Sequence, residues 1–258
     1  MVLGASSGFG AASARALAQA GLNIAGVHFD TRAGREKVDV LRGTLQSEGV
    51  AARFYNANAA NAATRDKVLS ALADELNNDQ QVRVLFHSLA FGSLRPFVKS
   101  DADDETEAMD EKAMTMTVDV MAHSLVYWTQ DLVARGLMRK GGRVLAMTSA
   151  GASITWPTYG AVSAAKAALE SHCRQLAREL APKEITVNAL LAGVTDTPAL
   201  RKIPGWEKLA DDARRRNPHG RLTKPEDVAH FITLLLHPEA AWLTGNVLRV
   251  DGGESIAG

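Results

Sequence analysis

Residues 2–21 read VLGASSGFGAASARALAQAG, and this stretch decides the fold. Two apolar residues, Val2 and Leu3, lead into Gly4, Gly8 and Gly10, and the glycines lead straight into an alanine-rich helical pattern. Glycine supplies positive φ and lets a backbone approach a ligand closely. A helix that starts behind such a turn offers unpaired N–H groups and the positive end of its dipole, so a pyrophosphate fits there. Strand, glycine turn and helix in this order predict the first βα unit of a dinucleotide-binding sheet. A plain tight turn is the competing reading of the same glycines.

Working outward, apolar runs at 23–29, 51–55, 82–87, 142–148, 186–191 and 247–250 predict further strands. Helical patterns cover 11–20, 35–48, 62–76, 109–135, 158–180 and 225–237. Strands alternating with helices predict an α/β fold. It is a single Rossmann-type, doubly wound domain over residues 1–258, with a mostly parallel sheet and helices on both faces. The first strand is short, which suggests that upstream residues are missing or that translation starts late. The acidic run at 101–107 reads as a solvated loop or helix start.

Lys plus Arg equals Asp plus Glu at 29 each, so the chain lacks the basic footprint of a nucleic-acid binder. One cysteine, Cys173, excludes an internal disulfide and fits a reducing cytosol. No apolar run approaches the roughly 20 residues that span a bilayer, and no signal peptide opens the chain. A cytoplasmic protein with no membrane partner is expected. The histidines share no metal-ligand spacing, so no metal is expected either.

The chemistry concentrates in TWPTYGAVSAAKAALESH, residues 155–172. A helix advances about 100° per residue, so a lysine seven positions after a tyrosine returns to the same face, two turns on. Lys166 can therefore reach back beside Tyr159, hold the hydroxyls of a bound ribose and favour phenolate character in the tyrosine. A phenol near pKa 10 is otherwise a poor proton relay at neutral pH. Ser163, one turn after the tyrosine, cannot supply that charge and reads as helix filler or a minor hydrogen-bond partner. Ser149, after the fifth strand in VLAMTSAG, is the candidate to hold a substrate carbonyl, with Thr148 competing. In VHFDTRAGRE, Asp30 favours a free ribose 2′-hydroxyl, whereas Arg32 and Arg35 favour a 2′-phosphate. The two cations favour NADP(H); Asp30 keeps NAD(H) open.

In order along the chain, GASSGFG, the Tyr159…Lys166 pair, VNALLAGVTDTPAL and VLRVDGGESIAG resemble the short-chain dehydrogenase/reductase family from end to end. Within it, the long Tyr–Lys spacing, HSLAFG after the fourth strand, Asp119 and the closing VDGGESIAG look like bacterial enoyl-acyl-carrier-protein reductases. The resemblance implies that Gly4, Ser6, Gly8, Phe9 and Gly10 line the pyrophosphate. It places Asn58 and Ala59 by the adenine, and His87, Ser88 and Ala90 beside a ribose. Thr195 would meet the nicotinamide carboxamide and Thr197 a phosphate. Many members carry asparagine where this chain has Asp119. A second tyrosine found in some enoyl reductases is absent, leaving its place to Ser149, Trp156 or nothing.

Three activities follow as expectations. The first is NAD(P)H-dependent reduction of the 2,3 double bond of an enoyl thioester in fatty-acid synthesis. The second is reduction of a 3-oxoacyl thioester or another carbonyl. The third is a non-catalytic dinucleotide sensor. A substrate lid is expected around 198–217. Arg214, Arg215, Arg216 and Arg221 could attract an acidic acyl carrier protein, although a solvated face is the plainer reading. By family analogy the long helix and the last strand pack against copies of themselves in a homotetramer.

Overall fold

All seven expected strands form, in a computed structural model that describes residues 1–99 and 107–257. They are β1 (Val2–Leu3), β2 (Ile24–His28), β3 (Ala52–Asn56), β4 (Val84–His87), β5 (Arg143–Thr148), β6 (Thr186–Ala192) and β7 (Val247–Val250). They pair in parallel in the order β3-β2-β1-β4-β5-β6-β7. Val2 sits opposite Gly26 on one side and Phe86 on the other, so β1 is central. The strand order reverses between β1 and β4, and a parallel sheet opens its ligand crevice at the carboxyl ends of such strands.

The interior strands β2, β4 and β5 are buried throughout because both faces are covered, whereas the edge strands β3 and β7 are partly exposed. Alternate side chains divide between two cores. Leu85, Val144 and Ala146 join Leu125, Trp128 and Leu169 on one face. Val84, Phe86, Leu145 and Met147 join Leu17, Leu41, Leu45 and Ile232 on the other. The helices are α1 (Gly8–Gln19), α2 (Arg32–Ser47), α3 (Ala62–Glu75), α4 (Glu111–Val118), α5 (Ser124–Ala134), α6 (Gly160–Leu180), α7 (Trp206–Arg216) and α8 (Pro225–Leu234).

Three details differ from the periodicity reading. The first helix begins at Gly8 rather than Ala11, because extended Ser7 serves as its N-cap and takes Gly8 and Gly10 into the opening turns. The pattern at 109–135 is interrupted by a π-helical stretch, Asp119–His123, between α4 and α5. The expected lid contains a formed helix, α7, introduced by Gly205 at φ 75°. The acidic run at 101–107 lies outside the described residues except for Glu107. Among the described residues no helix is long and apolar enough to cross a membrane.

Candidate active site

The glycine turn after β1 is shaped by close approach. A Cβ on Gly4, at φ 84°, would lie 2.9 Å from the carbonyl carbon of Ser88. A Cβ on Gly10 would lie 2.8 Å from the carbonyl carbon of Gly4. The turn therefore closes on itself and on the end of β4, with α1 starting at its rim. The first N–H groups of α1 have no carbonyl within the helix and are left for an anion. Thr197 closes the far side, its Cγ2 3.3 Å from where a Cβ of Gly8 would stand. These features fit a dinucleotide pyrophosphate.

A cleft of about 570 Å³ runs from this cradle across the carboxyl ends of the strands. Gly4, Ser6, Gly8, Phe9, Asn58, Ala59, Ser88, Ala90, Ser149, Tyr159, Lys166, Thr195 and Thr197 all line it. Four expected residues, Gly10, Arg32, Arg35 and His87, do not. Gly10 is buried beneath the turn, so its role is packing rather than contact. Arg32 is exposed in the first turn of α2, while Asp30 lines the cleft in its place. Asp119 instead borders a shallow depression with Asn58, Glu111 and Lys112.

The end of β5 is tied to α6 at consecutive positions. The carbonyl of Met147 accepts a 2.7 Å hydrogen bond from Lys166 Nζ. The Thr148 hydroxyl donates to Glu170 Oε1 at 2.6 Å. The Ser149 hydroxyl lies 3.4 Å from that of Tyr159. Ser149 thus meets the tyrosine, and Thr148 is committed elsewhere. Ser163 donates to the carbonyl of Gly151, a hydrogen-bond partner that anchors the loop after β5. Gly151 must be glycine for a packing reason: a Cβ there would lie 2.9 Å from Tyr159 Cδ1.

Burial sets the electrostatics. It lowers the Lys166 pKa to about 8, against an upward pull from Cys173 and Glu170. It raises the Tyr159 pKa above 10, which the hydrogen bond to Ser149 partly offsets. The tyrosine is therefore a neutral phenol, able to donate, when the cleft is empty. His87 is fully buried at the end of β4, and its pKa falls to about 3, through burial first and Lys166 second. The Ser124 hydroxyl donates to the Val120 carbonyl at 2.8 Å, so the 2.8 Å contact to His87 Nε2 assigns the proton to that nitrogen. His87 is thus a neutral support beneath the site. Cys173 is a buried thiol with a pKa pushed up to about 12, a packing residue rather than a nucleophile.

At the adenosine end, Asp30 is fixed from two sides. His28 Nδ1 lies 2.9 Å from its carboxylate, and the Asn56 side chain bonds both its N–H and its carbonyl, at 3.0 and 3.1 Å. The Ala59 carbonyl is held by the indole N–H of buried Trp128 at 2.8 Å. At the opposite end the lining turns apolar, with Phe91, Leu94, Ile154, Trp156, Ile203 and Leu209. The last two come from the expected lid, and Trp156 Nε1 meets the Pro204 carbonyl at 3.5 Å. The cleft also receives Arg216 and Glu254, which sequence reasoning missed as a pair. No group of three or more metal-ligating side chains occurs among the described residues.

The four arginines at 214–216 and 221 are already engaged. Arg214 pairs with Asp211 at 2.6 Å, Arg215 with Asp212, Arg216 with Glu254 at 3.2 Å, and Arg221 with Asp227 at 2.6 Å.

Residues 4–255 match the family model described as enoyl-(acyl carrier protein) reductase. Dehydrogenase/reductase SDR family member 4 of Sus scrofa is 29% identical over 98% of this chain and 85% of its own length. The NADH enoyl-acyl-carrier-protein reductase of Aquifex aeolicus is 31% identical over 68% of this chain and 63% of its own. The solved structure of that Aquifex enzyme superposes with a TM-score of 0.84 over 100% of this chain and 96% of its own, at 24% identity, a likeness of fold.

Proposed function

Because the chain belongs to the short-chain dehydrogenase/reductase family of oxidoreductases, as the match over residues 4–255 shows, we propose that it reduces the 2,3 double bond of an enoyl thioester. The observation that carries the reading is the hydroxyl pair of Ser149 and Tyr159, 3.4 Å apart, with the Lys166 ammonium buried behind it. A bound nicotinamide dinucleotide would supply the hydride for the β-carbon, and a proton from solvent at the α-carbon completes the reduction. Tyr159, a neutral phenol, donates a hydrogen bond to the thioester oxygen as negative charge grows there. Ser149 holds the same oxygen from the β5 side. Lys166, fixed to the Met147 carbonyl in the lining of the cleft, would hold a ribose hydroxyl and support the phenol through it. Ile203 and Leu209 of the lid, with Phe91 and Ile154, give the acyl chain an apolar wall and exclude water.

NADP(H) is the dinucleotide we favour. The Asp30 carboxylate is drawn toward His28, while Arg32 and Arg35 are exposed beside it. The acyl carrier is an acyl carrier protein or coenzyme A, since the cleft reads the acyl end that both share. A homotetramer through α6 and β7 belongs to the same reading; Ala164 and Ala167 of α6 are exposed, as is Val247 of β7.

The test pairs crotonyl and acetoacetyl thioesters with NADPH and NADH and follows cofactor oxidation. Turnover of crotonyl substrate with NADPH is expected. Turnover of the ketone alone would move the protein to the carbonyl-reductase reading. Activity with NADH alone would remove the role given to Arg32.

A further inference from the structure

Glu254 is a carboxylate only 6% exposed, on the turn after β7. Its two oxygens serve different parts of the chain. Oε2 accepts the N–H of Val194 at 3.0 Å. Oε1 accepts a hydrogen bond from Arg216 Nη2 at 3.2 Å. Val194 precedes Thr195 on the loop after β6, and Arg216 is the last residue of α7. The junction is tight: a Cβ on Gly193 would lie 2.6 Å from Glu254 Oε2 and 2.5 Å from Thr223 Oγ1. A carboxylate removed from water needs a cation and hydrogen bonds to offset its lost hydration, and here one partner of each kind comes from a different wall of the cleft.

The turn itself does not need Glu254. Asp251 already holds it, accepting the N–H groups of Gly253 and Ser255 at 3.1 and 3.0 Å. The buried charge therefore acts between elements rather than within one.

We infer that Glu254 is a positioning residue that couples the seating of α7 to the dinucleotide loop Val194–Thr197. The inference rests on the dinucleotide reading above. Substrate that settles α7 then tightens dinucleotide binding, and the dinucleotide tightens substrate binding by the same factor.

The test is calorimetric titration of the oxidised dinucleotide, NADP⁺ or NAD⁺, whichever binds more tightly, with and without saturating crotonyl coenzyme A. In the wild-type chain the thioester should tighten dinucleotide binding by about tenfold. Glu254→Gln keeps an oxygen for Val194 and loses the charge for Arg216; Arg216→Gln removes the partner from a half-exposed site. Each should cut the enhancement to about twofold, and the double variant should do no worse than either single one. Arg216→Lys should restore most of it. Arg216→Gln carries the test alone if Glu254→Gln fails to fold. An enhancement that survives both single changes, that is absent from the wild type, or that falls multiplicatively in the double variant overturns the coupling. A wild-type chain that binds neither dinucleotide overturns the functional reading instead.

Discussion

Thr148 and Ser149 are adjacent in sequence, yet their hydroxyls serve different partners: Thr148 bonds Glu170 at 2.6 Å, and Ser149 lies 3.4 Å from Tyr159. On the proposed function, the pair separates a structural hydroxyl from one that meets the substrate. Ser149→Ala should lower kcat by about 10²-fold, the loss of a hydrogen bond to developing charge. Thr148→Val should leave kcat within a few-fold and cost about 1–2 kcal/mol in urea unfolding, because a carboxylate loses its donor. Equal kcat losses would return the assignment to an open choice between them.

Tyr159→Phe should abolish turnover by at least about 10²-fold while dinucleotide affinity, measured by calorimetry, changes less than about twofold. Removing one hydroxyl leaves the cradle at Gly4 and Gly8 untouched. Turnover retained in this variant would reject the mechanism.

Gly151→Ala tests the same phenol from the packing side. The new methyl would lie 2.9 Å from Tyr159 Cδ1, so the ring must shift. A displaced donor should lower kcat by about tenfold or more, since a misplacement near 1 Å is enough to cost that much. The KM for the dinucleotide should stay within about twofold. An unchanged kcat would show that the loop after β5 gives way instead.

The sheet was legible because each strand is an apolar run bounded by polar turns, and the cradle because its glycines follow the first of them. Ser149, Tyr159 and Lys166 were legible because strand end and helix periodicity place them at one edge. What was not legible depends on contacts between distant segments. The five-residue π-helical stretch from Asp119 leaves an unbroken helical pattern in the sequence. Asp119 itself borders a neighbouring depression that shares Asn58, Met116 and Val120 with the cleft. Glu254 and Arg216 are 38 positions apart, and nothing local in either segment predicts their meeting. Arg214, Arg215, Arg216 and Arg221 read as a cationic cluster, yet three of their acidic partners, Asp211, Asp212 and Asp227, lie within six residues.

Thr158, the residue before Tyr159, has φ 61°, and its hydroxyl is buried without a partner. A β-branched residue in the left-handed region is strained, by about 1–2 kcal/mol relative to one that tolerates it. Asparagine adopts that conformation more readily. Thr158→Asn should raise stability by about 1 kcal/mol in urea unfolding. A loss of stability would mean that the Thr158 methyl packs usefully enough to outweigh the backbone strain.

Lys166 gives a dependence on pH in the alkaline range. In the unfolded chain it titrates near 10.5, and in the folded chain at about 8, chiefly through burial. Below pH 8 both states are protonated, so the fold carries the full cost of a buried ammonium. Between pH 8 and 10.5 the unfolded chain binds more protons than the folded one, and stability rises with pH. Above that window both are neutral and the cost is gone. Lys166→Met keeps most of the stem and removes the charge. It should therefore stabilise the dinucleotide-free protein at pH 7 by on the order of 1–3 kcal/mol, with the advantage fading toward pH 10.5. The same change should lower kcat/KM by about 10²-fold or more. Wild-type kcat/KM should itself fall as pH rises through about 8, where the ammonium in the cleft lining is lost. Parallel urea unfolding of both proteins from pH 7 to 10 measures the stability difference. A difference that does not shrink with pH would show that the buried amine is already neutral at pH 7, and would leave the phenol without its cation.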